Sequence, residues 1–172
     1  MTGFNKERLI FGLFLLVVIV AIELILHRWH LSGWPVFMVM IFFFEMHMDK
    51  KRAHHIIIGG LVGIACYLGT VKFVELTAPW LGIETARIAF ICLAVYAIVA
   101  FGEMLPAVFN NYAFMYFLIT GLAASTGPAQ PLLWAGQIII GGGLVIGSIL
   151  LIGIIMAKIS GKPTTNIEHS NA

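Results

Sequence analysis

The chain has 172 residues, of which 60% are hydrophobic and only 10% are charged. A soluble domain would carry roughly a quarter charged residues, and the mean hydropathy here is +1.01, so the composition excludes an ordinary soluble domain. The formal net charge of +2 is too small to favour a nucleic-acid partner.

Six apolar runs follow one another along the chain, separated by short polar or proline-containing stretches. Because an apolar run of roughly 20 residues crosses the hydrocarbon core as a helix, we predict an all-α membrane protein with six transmembrane helices in one domain, in contact with the lipid bilayer. The predicted helices cover about 9–26, 34–48, 55–76, 86–105, 107–124 and 132–155, and a polar tail covers 158–172.

The basic residues are distributed unequally between the two sides of this six-span arrangement. One side holds seven and the other holds three, and basic residues concentrate on the cytoplasmic side of a membrane protein. We therefore predict that both termini are cytoplasmic. The cytoplasmic set is Lys6, Arg8, Lys50, Lys51, Arg52, Lys158 and Lys162, and the opposite set is Arg28, Lys72 and Arg87.

The third and sixth predicted helices share a pattern of glycines. The third contains HIIIGGLVGIACYLG and the sixth contains IIIGGGLVIGSILLIG. Glycines four residues apart let neighbouring membrane helices approach closely. We therefore expect two matching sets to face close helix neighbours, namely Gly59, Gly63 and Gly69 in the third helix and Gly143, Gly147 and Gly153 in the sixth.

The first and fourth predicted helices also match. RLIFGLFLLVVIVAIE and RIAFICLAVYAIVAFGE share a leading Arg, a Phe three residues later and a terminal Glu. This similarity predicts an internal repeat, with one copy at about 8–76 and the other at about 86–157. Because each copy has three helices, the second copy must enter the membrane from the opposite side, which is the inverted topology of many transporters.

Two glutamates lie about one turn from the ends of predicted helices, Glu23 in the first and Glu103 in the fourth. An ionisable group inside the hydrocarbon costs roughly 2.5 to 3.5 kcal/mol, so each needs a reason. One interpretation places the two carboxylates at the mouths of a transport pathway. The other is that both reach the interface or pair with a base such as Arg28.

Adjacent asparagines, Asn110 and Asn111, open the fifth predicted helix. Their amides could line a constriction that hydrogen-bonds a polar solute. They could equally cap the helix or bond between helices. The same two interpretations apply, with a weaker claim, to five further polar residues: Tyr67, Tyr96, Thr120, Gln137 and Ser148.

Methionines and histidines are concentrated in FMVMIFFFEMHMDKKRAHH, at residues 37–55. These side chains are ligands for soft or late metals, but the methionines lie two residues apart and point to different sides of a helix, so we predict no metal site. No nucleotide-binding loop, zinc-protease motif or nucleophile near a base is present, and we expect neither an enzyme nor a cofactor.

Two stretches, SGWPVFMVMIFFF in the second helix and LPAVFNNYAFMYF in the fifth, resemble the YcdZ-like family of small bacterial inner-membrane proteins. In that family a Trp-x-x-Phe stretch and a Pro-x-x-Phe stretch hold similar places in two halves. The resemblance implies a location in the bacterial inner membrane and no established activity.

Together these patterns predict a small channel or permease for a solute or an ion. A different class of function, a membrane scaffold or accessory subunit that transports nothing, also fits the composition. Six helices can barely surround a pore and still pack, so the sequence leaves homo-oligomerisation open.

Overall fold

The computed structural model describes residues 6–159, and every regular element in that range is a helix. Helices α6 and α7 are joined by a single π-helical turn and follow one another without a break. The bounds are α1 (Lys6–Arg28), α2 (Trp34–Glu45), α3 (Ala53–Leu81), α4 (Ile83–Phe101), α5 (Asn111–Thr126), α6 (Pro131–Gly136), the π turn (Gln137–Gly141) and α7 (Gly142–Ile159).

Four helical stretches are long and apolar enough to cross a membrane, which makes this a helical membrane protein. They are Arg8–Arg28, Ala53–Leu81, Ile83–Phe101 and Pro131–Lys158. The second and fifth helices are shorter, with 12 and 16 residues. At the rise of an α-helix these two extend about 18 Å and about 24 Å, less than the roughly 30 Å of a hydrocarbon core.

Several helix ends differ from the prediction. A turn was expected over residues 77–84, but α3 continues through Pro79 to Leu81. The chain reverses instead at Gly82, whose φ of 79° favours glycine. The fourth helix ends at Phe101, before the predicted residue 105, and turns occupy the connection before α5.

Helix α3 is at the centre of the packing. It lies against both α4 and α5 and also contacts α2, α6 and the π turn. The first two helices pack on α7, and α2 also packs on the π turn. Two long helices, α3 and α7, therefore lie between helices from the other half of the chain. Helices α4 and α5 flank α3, and α1 and α2 flank α7.

The core forms where α2, α3, α5 and the π turn meet. Residues at its centre are fully buried, and α1 contributes little, because only 6% of its apolar window is buried against the protein. An apolar helix face that the protein leaves uncovered suits contact with lipid. The largest buried side chains include Val36, Val39, Phe43, Ile56, Tyr116, Ile138 and Ile149.

Candidate functional site

Two tyrosines of α5 reach the side chains of α2, although the backbones of the two helices come close at few positions. The Phe42 ring is 4.9 Å from the Tyr112 ring, centroid to centroid, and 5.7 Å from that of Tyr116. Earlier in α2, the Trp34 ring is 6.2 Å from that of Tyr116. We call this contact, which Tyr112 and Tyr116 make with the α2 residues from Trp34 to Glu45, the seam.

Two tyrosine hydroxyls bridge the seam. The Tyr116 hydroxyl donates to the Pro35 carbonyl at 3.1 Å in the buried core. The Tyr112 hydroxyl donates to the exposed Glu45 carboxylate at 2.8 Å. Pro35 lies in the first turn of α2, where its missing N–H costs no helical hydrogen bond, and no side chain caps this helix start. The seam thus carries polar groups along its length inside an otherwise apolar bundle.

Three buried polar atoms have no hydrogen-bond partner in the described part of the chain: Trp34 Nε1, Thr120 Oγ1 and Gln137 Oε1. Thr120 is fully buried and Gln137 is 6% exposed. A buried polar group without a partner costs about 1 to 3 kcal/mol.

The π turn positions Gln137. Its side-chain amide donates from Nε2 to the Ser32 carbonyl at 2.7 Å, just before α2. The Gly142 N–H bonds the Gln137 carbonyl five residues back, which is the bond that defines a π turn. The side-chain bond therefore holds Gln137 beside the residue that precedes the α2 entrance, while the backbone bond belongs to its own helix. The sequence had marked Gln137 as a polar residue in an apolar run, but it gave Tyr116 no role.

Both glutamates singled out in the sequence are exposed. The Glu23 carboxylate approaches the start of α2, because a β-carbon on Gly33 would be 3.4 Å from its Oε2. Glu103 lies in the turn that follows α4. Neither carboxylate is in an ion pair with a described residue, and the pairs that do form, Lys72–Glu75 and Arg87–Glu84, are surface pairs.

The two asparagines have different environments. Asn110 caps α5, since its Oδ1 accepts from the Ala113 N–H at 2.9 Å. Its Nδ2 donates to the His55 carbonyl at 3.2 Å and approaches the carbonyls of Pro106 and Ala107. The Asn110 amide is therefore already hydrogen-bonded to backbone groups, whereas the Asn111 side chain is exposed. Both residues line a partly open cavity of about 310 Å³ between α4 and α5, together with Val95, Ile98, Val99, Gly102, Phe109 and Phe114.

The first glycine set lies in close contacts. A β-carbon on Gly59 would be 2.5 Å from Asn110 Oδ1, and one on Gly63 would be 2.6 Å from the Ala113 carbonyl oxygen. A β-carbon on Gly69 would be 2.7 Å from the ring of Phe90 on α4. These close approaches to α5 and α4 suit residues without side chains.

The second set differs from the expectation. No described atom is within 4 Å of a β-carbon built on Gly143, Gly147 or Gly153. The close contacts fall at the two residues just before Gly143, where Gly141 faces Val36 and Gly142 faces Val39 of α2. The π turn widens the helix just before these glycines, and this changes which of them point toward α2.

Two histidines at the end of the methionine and histidine run lie side by side. The His54 and His55 rings are 4.4 Å apart, but among the described residues no three His, Cys, Asp or Glu side chains are grouped as metal ligands.

Comparison with known proteins gives no relative. No protein-family model, no curated protein and no solved structure matches the chain.

Proposed function

We propose that the chain spans the bacterial inner membrane six times, as two inverted three-helix repeats, and passes a small solute along the seam. One observation carries the proposal: the two shortest of the six helical stretches, α2 and α5, occupy the same place in each half and contact each other through aromatic side chains. A pair of short membrane segments at corresponding positions is the best pointer to a transporter's binding site.

The contacts between the halves support the inverted repeat. In the first half, α3 is tied to α5 by the bond from Asn110 to the His55 carbonyl. In the second half, Gln137, at the position equivalent to His55, donates to the Ser32 carbonyl before α2. Both bonds join the start of a third helix to the entrance of the second helix of the other repeat.

The glycine contacts follow the same exchange. IIIGG occurs at 56–60 and again at 138–142, and its first residue, Ile56 or Ile138, is fully buried in both copies. Gly59 and Gly60 pack on α5, whereas Gly141 and Gly142 pack on α2. A two-fold axis in the membrane plane relates such pairs of contacts.

The glutamates take positions suited to the two mouths. Glu23 lies beside the start of α2, and Glu103 follows α4 in the connection that leads to α5. In the proposed topology these positions are on opposite faces of the membrane. Their carboxylates would attract cations or polar solutes toward each end of the seam.

Flux into proteoliposomes tests the proposal. Purified protein is reconstituted, and uptake of uncharged solutes and of monovalent ions is followed by stopped-flow light scattering or with ion-sensitive dyes. We expect protein-dependent flux of at least one of them, which Glu103→Gln and Asn111→Leu change several-fold. Glu75→Gln is the control, because Glu75 is exposed in a surface pair away from the seam.

One further variant tests the route itself. Phe42→Ala removes a buried ring from the seam, and we expect it to raise the flux. Absence of protein-dependent flux for every solute and ion would overturn transport and favour the alternative, a membrane scaffold or accessory subunit.

A further inference from the structure

The cavity between α4 and α5 is apolar over most of its wall and opens to the outside of the bundle. Its volume is about 310 Å³, and it is only partly enclosed. Val99 in its wall is 74% exposed, so this wall lies on the outer surface of α4, which is one of the four membrane-length helices. The apolar lining is Val95, Ile98, Val99, Phe109 and Phe114.

The same cavity has polar groups where α4 ends and α5 begins. Gly102, Asn110 and Asn111 belong to its lining, and a β-carbon on Gly102 would be 3.2 Å from the Phe109 carbonyl oxygen. The Asn110 amide is bonded to backbone groups, whereas the Asn111 side chain is exposed. From Val95 to Gly102 the wall extends about 10 Å along α4. The cavity is therefore elongated, with an amide at the helix ends.

Three exposed basic residues lie at this same end of the bundle. Asn110 Nδ2 donates to the His55 carbonyl at 3.2 Å, and the His55 N–H donates to the Arg52 carbonyl at 2.9 Å. Arg52 and the two lysines before it, Lys50 and Lys51, are exposed. None of the three is in an ion pair with a residue that the structure describes. Basic side chains in this position attract the phosphates of lipid headgroups.

Acidic residues are present at this end as well. Glu45 accepts a hydrogen bond from the Tyr112 hydroxyl, and Asp49 accepts one from the Lys51 backbone N–H. Glu103 is exposed in the turn after α4. Charges of both signs complement a headgroup that carries a phosphate, either alone or together with an ammonium group.

An apolar cavity at this depth is suited to a lipid chain. Water needs two to four polar partners to be held in a cavity, and an empty space forfeits the dispersion contacts of the side chains around it. Ligand cavities are typically about 300 to 1,000 Å³, mostly apolar, with a few polar groups that fix the orientation. The position at the helix ends places those polar groups at the level of the headgroups.

We propose that the cavity between α4 and α5 binds one acyl chain of a membrane phospholipid, whose phosphate group lies at Asn111 and is attracted by Lys50, Lys51 and Arg52. The Asn111 amide donates to a phosphate oxygen. The site is separate from the proposed transport, because the seam joins α5 to α2 whereas the cavity lies between α5 and α4. Lipid binding and flux are measured independently, so either proposal can fail alone.

Native mass spectrometry of the full chain tests the site. The protein is freed of lipid in detergent and titrated with phosphatidylethanolamine or phosphatidylglycerol that carry the same acyl chains. Diacylglycerol with those chains is the control without a phosphate. We expect one phospholipid to bind saturably to each chain, about tenfold more tightly than diacylglycerol, because the control lacks the charged hydrogen-bond acceptor.

Two phenylalanine variants of α4 give the matched comparison. Val95→Phe fills part of the cavity and should weaken phospholipid binding about tenfold. Leu93→Phe enlarges an exposed side chain of the same helix outside the cavity lining, and it should leave the affinity unchanged. Asn111→Ala removes the amide and should weaken binding about threefold to tenfold. Because the Asn111 side chain is exposed, this variant decides the question if Val95→Phe does not fold.

Three results would overturn the proposal. Equal phospholipid affinity in the wild type and in Asn111→Ala would mean that lipid only coats the surface. Diacylglycerol that binds as tightly as the phospholipids would exclude a headgroup site. A lipid-free dimer that Val95→Phe dissociates would assign the cavity to a second copy of the chain instead.

Discussion

Gly63 lies so close to the backbone of Ala113 that a β-carbon on it would be 2.6 Å from the Ala113 carbonyl oxygen. The same β-carbon would be 2.6 Å from Cβ of Tyr116 and 2.7 Å from the Phe117 nitrogen. Backbone atoms cannot move aside as a flexible side chain can. The contact between α3 and α5 therefore depends on the absence of a side chain at this position.

Gly63→Ala should destabilise the fold by about 1 to 3 kcal/mol, the usual cost of overpacking a core. Gly147→Ala is the matched control, because nothing in the described chain is within 4 Å of its β-carbon, and alanine is the better helix former by about 1 kcal/mol. Unfolding of both variants in detergent, followed by circular dichroism, measures the difference. Equal destabilisation by Gly147→Ala would instead indicate a close neighbour there, such as a second copy of the chain.

Asn110→Ala should cost about 1 to 2 kcal/mol in stability, because it removes the cap of α5. It also leaves the His55 carbonyl without its bond from α5. Asn111→Ala should change stability by less than about 0.5 kcal/mol, since that side chain is exposed. Parallel denaturation curves give both values, and similar losses at the two positions would contradict the capping role.

Tyr116→Phe should destabilise the protein by about 0.5 to 1.5 kcal/mol, because it removes the buried hydrogen bond from the hydroxyl to the Pro35 carbonyl. Tyr112→Phe should cost less, since the Glu45 carboxylate that loses its partner is exposed and water can replace the hydroxyl. Thermal unfolding of the two variants beside the wild type provides the comparison. A larger loss for Tyr112→Phe would show that the exposed end of the seam dominates its stability.

The proposed topology places the loop between α2 and α3 in the cytoplasm and the loop between α5 and α6 on the opposite face. In a background of Cys66→Ala and Cys92→Ala, we expect Lys51→Cys to react with a membrane-impermeant maleimide only in inverted vesicles. Ala129→Cys should react from outside in intact spheroplasts. Both loop positions are exposed in the structure. Labelling of both from the same side would rule out the inverted arrangement.

The helical pattern could be predicted because it depends on local properties. Apolar runs and the prolines between them located every helix of the described chain to within a few residues. The errors came where the local preference of a residue and the tertiary packing of the helices disagree. A turn was expected over residues 77–84, yet Pro79 removes only one hydrogen bond in the last turn of α3, so the helix continues to Leu81 and the chain reverses at Gly82.

The glycine repeat shows what spacing cannot decide. The spacing of Gly59, Gly63 and Gly69 recurs at Gly143, Gly147 and Gly153, but the structure packs Gly141 and Gly142 against α2 instead. A sequence gives the spacing of residues along a helix. It does not show where a π turn forms, because that depends on which of several competing backbone hydrogen bonds is made.

The sequence by itself determined that this is a helical membrane protein, since bilayer insertion depends on the length and polarity of continuous segments. It also located the glutamates and asparagines near helix ends. Only the tertiary structure decided that two tyrosines of α5 reach α2, that Asn110 is occupied as a cap, and that Gln137 bonds the Ser32 carbonyl. Those relations depend on which helix faces pack, and in a bundle where nearly every face is apolar, hydrophobicity alone cannot select them.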